Sequence, residues 1–430
     1  MTRATSDIGH LIDTAEGWVD RSIYWDPDIY ALELERIFAR SWLFLAHESQ
    51  VARPGDFVTT WMGQDRVIVV RGRDGTVGAY LNSCPHRGNV VCHAEAGKAR
   101  GFVCNYHGWS FGLDGRLAGM HEGEAFERTP GFDRRKLGLT PVAKIDTYKG
   151  LVFATFDPDA PCLADYFGDF TYYLDVMLDN DEGGTEFLPG CIRSILPCNW
   201  KVAAENFAGD ALHAGWTHDS GAQAMLGRGV GKVSYENSYQ ANVNGHCWEF
   251  NLDLLGNAAT FGDRSVLSWL RTREPEMAQR LGPTRARMVG SMASVNVFPN
   301  FSFLPGQNTF RVWHPRGPQE TELQTWVLVN RNAPGHIKDA YRKGVMMTFS
   351  PSGVFEMDDG DNWQYATRAN DGVVTRRQRL YYGLGFGTEI DHPELPGNVH
   401  KGQVNDANQR AFLGRWAQLM DARSWSEVAS

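Results

Sequence analysis

Three cysteines and three histidines crowd into "CPHRGNVVCHAEAGKARGFVCNYHGW", residues 84–109, although the whole chain of 430 residues holds only seven cysteines and thirteen histidines. The pairs Cys84-x-His86 and Cys104-x-x-His107 put two soft thiolates and two imidazoles on two loops. Such a set holds either one tetrahedral zinc ion or a [2Fe–2S] cluster with two Cys on one iron and two His on the other. Pro85, Gly88 and Gly108 let both loops fold over a bulky inorganic core, and strand-like sequence, not a helix, bounds both pairs. These flanks favour the cluster. Imidazole ligation raises the potential of such a cluster to about −150 to +300 mV, so it accepts electrons from a low-potential donor. Cys92 and His93 lack hairpin flanks and read as a small semi-buried residue and a surface residue. Arg87 and Trp109 read as a neighbouring hydrogen-bond donor and a packing residue.

A second concentration of donors is "AENFAGDALHAGWTH", which supplies Glu205, Asn206, Asp210, His213 and His218. At ~100° per helical residue, Asp210 and His213 fall ~60° apart and His218 lies ~140° from His213. All three face one pocket if the helix loosens, and Gly215 is the expected place. Two imidazoles with one carboxylate from elsewhere form a facial triad, which leaves iron positions open for dioxygen, water or substrate. "GVFEMDDGDNW" offers that carboxylate in Glu356, Asp358, Asp359 or Asp361, on or just after a helix predicted to begin near Ile337. Alone, a helical histidine is a satisfied core residue and an acidic cluster a solvated face. Beside a cluster-binding domain, the same residues make an oxygen-activating centre.

The elements that must position these residues differ along the chain. From Trp42 to about Phe156, "DFVTTWMG", "RVIVVRGRDGTVGAYLN", "GFVCNYHGWSFGLDGRL" and "GLVFATFD" alternate β-branched or aromatic residues with turn residues. They predict a small all-β domain with hairpins at Asp74-Gly75 and Asp114-Gly115 and the Cys/His pairs at hairpin tips. Before it, "IYALELERIFARSWLFLAHES" predicts one amphipathic helix. After Asp157, "LADYFGDFTYYLDVML", "NWKVAAENFAGDALHAGWTH", "IKDAYRKGVMMTF" and "NQRAFLGRWAQLMDARSW" read as helices, while "SVNVFPNFSFLP", "TFRVWHP" and "ELQTWVLVN" read as strands. The class is α+β.

A net charge of −9 with no basic patch argues against nucleic acid as a partner. No stretch approaches the ~20 apolar residues of a membrane span, and the N-terminus lacks a secretory core. An odd, thinly spread set of cysteines is no disulfide framework, so the expected compartment is the reducing cytoplasm. The sequence shows no Gly-rich dinucleotide fingerprint.

"CPHRG…CNYHGW", "NWKVAAENFAGDALHAGWTH" and "GVFEMDDGDNW", together with "IFARSWLFLAHESQVARPGDFVT" and "NVFPNFSF", resemble the α subunits of Rieske non-haem iron ring-hydroxylating oxygenases over nearly the whole chain. The resemblance implies an all-β Rieske [2Fe–2S] domain over 42–156 between an N-terminal helix in 1–41 and a catalytic domain over 157–430 with a helix-covered antiparallel sheet. It implies that Cys84 and Cys104 bind one cluster iron, His86 and His107 the other, and that His213, His218 and Asp359 bind the catalytic Fe(II). Asp210 is then no ligand: it links His213 to a cluster histidine, the equivalent of His107, of the neighbouring subunit, within an α3 ring with or without β subunits. Asn206 joins Asp210 as a catalytic side chain, and Phe207, Met292, Ser294, Leu304, Phe349 and Phe355 fall where the family lines its substrate pocket. Met292 and Ser294 stand where naphthalene-oxidising members carry His and Asn.

The reaction this implies is delivery of O2 and two electrons to an aromatic ring, giving a cis-dihydrodiol, with electrons arriving from an NAD(P)H-dependent reductase through a ferredoxin. A monohydroxylase or demethylase on the same scaffold is the nearest alternative. A non-catalytic electron carrier or zinc-stabilised module is the alternative from another class.

Overall fold

The computed structural model describes residues 8–226, 236–255 and 263–428. The chain divides into two compact units, one from Phe38 to Ala160 and one made of both flanks, up to Ile37 and from Pro161 onward.

The 38–160 unit is built on three antiparallel sheets. Four strands run in the order Val77–Leu81, Asp65–Arg71, Asp56–Met62, Ala96–Lys98. Val67, Ile68, Val69 and Val70 of the second are fully buried, which explains why "RVIVV" is apolar without alternation. Phe102–Val103, Ser110–Phe111 and Leu117–Gly119 form a second sheet, and Leu43–His47, Leu151–Thr155 and Lys144–Tyr148 a third. Both Asp-Gly turns occur where expected, with Gly75 at φ +86° and Gly115 at φ +73°.

Two expectations change here. The long amphipathic helix is only Pro27–Glu33 followed by one π turn over Leu34–Phe38, and "LFLAH" is a strand. All five of its residues are buried, and a short apolar run without polar breaks does not distinguish strand from helix. Of the two Cys/His loops, only that of Cys104 is a hairpin tip. That of Cys84 connects Val77–Leu81 to Ala96–Lys98, which lie at opposite edges of their sheet.

The second unit carries a ten-stranded antiparallel sheet, with Ser238–Val243, His246–Leu255, Ser291–Val297, Phe301–Leu304, Thr309–Gly317 and Glu320–Asn330 consecutive in it. The first two alternate polar and apolar residues, yet their polar face is buried too: Ser238, Gln240, Asn242, Glu249 and Asn251 are all buried. Residues paired across antiparallel strands share a face. The register Gln240↔Glu249↔Ser294 therefore lays a polar row across three strands, and Asn296↔Ser302↔Arg311 lays a second.

The helix Trp200–Gly209 packs over the strands from His246 to Gly317 and against the helix Ala407–Asp421. It is buried nearly all round, Lys201 included. The Lys201 ammonium pairs with Glu33, which also accepts from the indoles of Trp200 (2.8 Å) and Trp416 (2.7 Å). One buried charge pair thus joins three helices. No helix among the described residues is long and apolar enough to cross a membrane.

Candidate metal centres and active site

The two cysteine–histidine loops fold alike. Gly88 N–H donates to the Cys84 carbonyl (2.8 Å) and Gly108 N–H to the Cys104 carbonyl (3.0 Å), while the cysteine N–H groups donate to the carbonyls of Asn89 and Trp109, both at 2.8 Å. Each turn closes on a glycine at positive φ, +73° for Gly88 and +68° for Gly108, where a Cβ is strained. Cys84 and Cys104 are buried, the rings of His86 and His107 lie 4.6 Å apart, and Trp109 stacks on His86 at 4.8 Å. Cys92 is buried in the core of this unit and His93 exposed.

The buried Nδ1 of His86 has no hydrogen-bond partner. Burial, His107 and Arg87 hold that imidazole below its ordinary range, in the neutral form a metal ligand requires. Burial raises the Cys104 thiol, but N–H groups of Tyr106, Asn89 and His107 outweigh it and hold the thiol below its usual value. Among the described residues only one set of His, Cys and carboxylate donors lies within 4.8 Å of one another, and it is not this one. Two alike loops, each offering a buried thiol and an imidazole, present the donor set of a two-iron cluster with two Cys and two His.

The set that does converge is His213, His218 and Asp359. The two Nε2 atoms are 3.2 Å apart and each is 3.2 Å from Asp359 Oδ1. The three donor atoms are close enough to share one cation, and three protein ligands would leave further positions on it open. Asp359 is 2% exposed, and its Oδ1 is buried without a directed hydrogen bond; a lone acceptor aimed between two imidazoles is completed by a cation. Protons compete for the same groups. Burial lowers the His213 imidazole, yet Asp210 and Asp359 push it up to about 11. Burial raises Asp359, yet His213 and His218 hold it below the usual carboxylate range.

Local structure explains the convergence. Asn199 caps the first helix by accepting from Lys201 N–H (3.0 Å), and that helix ends at Gly209 with φ +145°. Asp210 caps the next helix, Ala211–Thr217, by accepting from His213 N–H at 3.3 Å, and His218 ends it. The break thus falls at Asp210 and not at Gly215, which lies inside the second helix. Asp358 and Asp359 sit on the helix Val354–Asn370, separate from Gly335–Thr348.

Each imidazole is oriented through Nδ1. Asp210 Oδ2 is 3.3 Å from His213 Nδ1, and the Asp210 carbonyl bonds the same nitrogen. Asn206 Nδ2 donates to Asp210 Oδ2 at 3.0 Å and lies 3.3 Å from His213 Nδ1. Asp358 Oδ2, which the sequence offered only as a competing ligand, is 3.4 Å from His218 Nδ1. Such outer carboxylates fix the ring and tautomer of a ligating histidine.

Of the pocket candidates, Phe355 meets the His218 ring at 4.9 Å and Phe349 meets Phe355 at 5.7 Å. Phe207 packs on Trp313 (5.2 Å) beneath the Arg311 guanidinium (4.9 Å). Met292 and Ser294 share one strand face, and the pairing Val295↔Phe303 sets Leu304 beside Ser294 on the next strand. Ser294 Oγ donates to Glu249 at 3.3 Å. Neither Glu249 nor Arg311 stood out in the sequence; a charged residue inside a strand buried on both faces was the available signal.

The Rieske [2Fe-2S] domain family matches residues 41–130, and the ring hydroxylating alpha subunit (catalytic domain) family matches residues 167–384. The α subunit of biphenyl 2,3-dioxygenase from Rhodococcus jostii is 40% identical over 437 residues, 99% of this chain and 94% of that protein. The α subunit of benzene 1,2-dioxygenase from Pseudomonas putida is 39% identical over 439 residues, 99% of this chain and 96% of that one. A solved structure of naphthalene 1,2-dioxygenase with indole in its active site superposes with a TM-score of 0.92 at 33% identity, over 97% of this chain and 95% of that one. A quaternary ammonium Rieske monooxygenase at 20% identity shares the fold alone, with a TM-score of 0.72. With both domains matched in order, the chain belongs to the α subunits of the Rieske non-haem iron ring-hydroxylating oxygenases, enzymes built on a [2Fe–2S] cluster and a mononuclear iron.

Proposed function

We propose that this chain is the terminal oxygenase that cis-dihydroxylates an apolar aromatic ring with O2, and that the 3.2 Å triangle of His213, His218 and Asp359 is its iron seat. The orphaned Asp359 Oδ1 between the two Nε2 atoms is the observation that carries this assignment. When bound, the cluster supplies electrons and the ferrous ion supplies open positions for O2.

Cys84 and Cys104 hold one iron of the cluster, His86 and His107 the other. Asp210 and Asp358 keep the Nδ1 protons of His213 and His218 turned away from the metal, and Asn206 steadies Asp210. Phe349 and Phe355 keep water from the open side. Ser294 is engaged by Glu249, so with Met292, Phe207 and Leu304 that wall offers a ring little hydrogen bonding, which supports an apolar substrate.

Asp210 also serves electron entry from His107 of the partner subunit in an α3 ring, with or without β subunits. The exposed Leu212 (54%) and Trp216 (88%) flank His213, apolar surface of the kind a neighbouring subunit covers. A ferredoxin and an NAD(P)H-dependent reductase supply electrons. The seven cysteines form no disulfide, which suits the reducing cytoplasm.

Anaerobic iron analysis with EPR of the dithionite-reduced protein tests the assignment. A rhombic [2Fe–2S] signal with one further iron per chain, that iron lost in Asp359→Ala while the cluster stays, is the expected result. Equimolar zinc without a signal, or Asp359→Ala retaining iron and turnover, refutes it.

A further inference from the structure

Beneath the helix break at Asp210 lies a carboxylate with no part in the chemistry described so far. Glu249, on the strand His246–Leu255, is 4% exposed. Its Oε2 accepts the Ala211 N–H at 3.0 Å, and its Oε1 accepts from Ser294 Oγ. Ala211 opens the second helix, so its N–H has no partner within that helix, and Glu249 is its only acceptor among the described residues.

The other side of the break is secured differently. Gln240 and Gln409 both donate to the Gly209 carbonyl, at 2.9 and 2.7 Å, and Asn408 donates to the Ala208 carbonyl at 2.8 Å. Three buried amides thus hold the end of the first helix redundantly, whereas the start of the second is held by its own cap, Asp210, and from the sheet by Glu249. The backbone is also pressed onto that carboxylate's strand: a Cβ at Gly209 would lie 2.9 Å from Glu249 Cβ.

We propose that Glu249 is a positioning residue for the iron centre: by holding the Ala211 N–H it sets the direction in which the second helix leaves Asp210, and with it the placement of Asp210 and His213. This rests on His213 being an iron ligand. A buried N–H left without an acceptor does not stay in place; the helix start shifts until water or another group meets it, and His213 is on that first turn. Glutamine keeps an oxygen where Glu249 presents Oε2 to the Ala211 N–H, so it is the closest mimic; burial raises the Glu249 carboxyl, the Ala211 N–H opposing.

The test uses the assembled holoenzyme carrying Glu249→Gln, Glu249→Leu, Glu249→Met or His213→Ala. Fe(II) affinity is titrated anaerobically and read by EPR of the nitric oxide adduct of the mononuclear iron, with the reduced-cluster signal in the same sample reporting a folded chain. Glu249→Leu is expected to weaken Fe(II) binding about tenfold to hundredfold, the usual cost of losing an outer partner of a ligand, with cluster content unchanged, and Glu249→Gln to restore it to within about threefold. Should the leucine variant lose its cluster, Glu249→Met decides by the same criteria. Wild-type affinity in the folded leucine or methionine variant, or a glutamine variant as weak as they are, overturns the proposal. If His213→Ala keeps its iron, the ligand assignment itself fails; if His213→Ala loses iron while Glu249→Leu does not, only the role of Glu249 fails.

Discussion

Arg311 and Glu356 form a buried ion pair that ties the Asp359 helix to the sheet. Arg311 is fully buried and Glu356 is 6% exposed; Nη2 donates to Oε2 at 2.7 Å and to the Phe349 carbonyl at 3.3 Å. Its Nε and Nη1 make no hydrogen bond, and the guanidinium instead lies over Phe207 (4.9 Å) and Phe349 (5.0 Å). Arg311→Met leaves the Glu356 carboxylate buried without a counter-charge, at a cost of about 3–5 kcal/mol. Glu356→Leu strands the cation instead, at a cost toward the lower end because the two aromatic faces retain about 1–2 kcal/mol.

The double variant Arg311→Met/Glu356→Leu removes both desolvation costs, and with two guanidinium donors already unpaired it is expected to fall within about 1 kcal/mol of wild type. The coupling between the two sites is therefore at least about 5 kcal/mol. Because Glu356 sits one turn before Asp359, and the Phe349 carbonyl ends the preceding helix, each single variant is also expected to lose mononuclear iron and the double variant to regain it. Urea unfolding followed by tryptophan fluorescence, with cluster absorbance reporting the 38–160 unit separately, gives the energies. Single variants costing under about 1 kcal/mol, or a double variant as unstable as the two costs added, would refute the anchoring role.

Asp358→Ala frees His218 Nδ1 without removing a ligand, so mononuclear iron is expected to bind about tenfold to hundredfold more weakly and not to vanish as in Asp359→Ala, by anaerobic titration. Gly108→Ala puts a Cβ 3.1 Å from that of His121 at φ +68°, whereas Gly88→Ala at φ +73° meets nothing within 4 Å; cluster content per chain is expected to fall further in the first. His246 donates Nε2–H to the Tyr166 carbonyl (3.0 Å) and accepts Phe298 N–H at Nδ1 (3.1 Å), so the ring has no room for a second proton. Burial holds it down at about 3, below its unfolded value of about 6.5, so its contribution is full above about pH 6.5 and is lost as pH falls toward 3, at most about 5 kcal/mol. His246→Gln is expected to flatten that acid limb in stability measured against pH, and parallel limbs would contradict the assignment.

The legible parts of this molecule are those where chemistry or turn geometry restricts residue type. "CPHRG" and "CNYHG" announce themselves because thiolate, imidazole and a left-handed glycine have few substitutes, and Asp74-Gly75 and Asp114-Gly115 fix hairpins for the same reason. His213, His218 and Asp359 could be gathered as a donor set, but choosing Asp359 over Asp358 needed the family pattern; the structure separates them by burial and by the nitrogen each faces. The strands Ser238–Val243 and His246–Leu255 do alternate polar and apolar residues; what the pattern does not reveal is that their polar face is buried, with Gln240 and Glu249 turned to a helix break and not to solvent. The same network explains why Gly215 drew attention that belonged to Gly209: a glycine's role at a break depends on what captures its carbonyl, here Gln240 and Gln409 from 31 and 200 positions away. "LFLAH" misled for the opposite reason, being so uniformly buried that no period remains.

The most direct test of dioxygen chemistry at this site is a single turnover of the pre-reduced holoenzyme with an aromatic hydrocarbon under 18O2, with the product analysed by mass spectrometry. A cis-dihydrodiol carrying both labelled atoms, formed as the cluster is reoxidised and absent in Asp359→Ala, is the expected result. A product with one labelled atom, or a diol that forms equally well in Asp359→Ala, would contradict it.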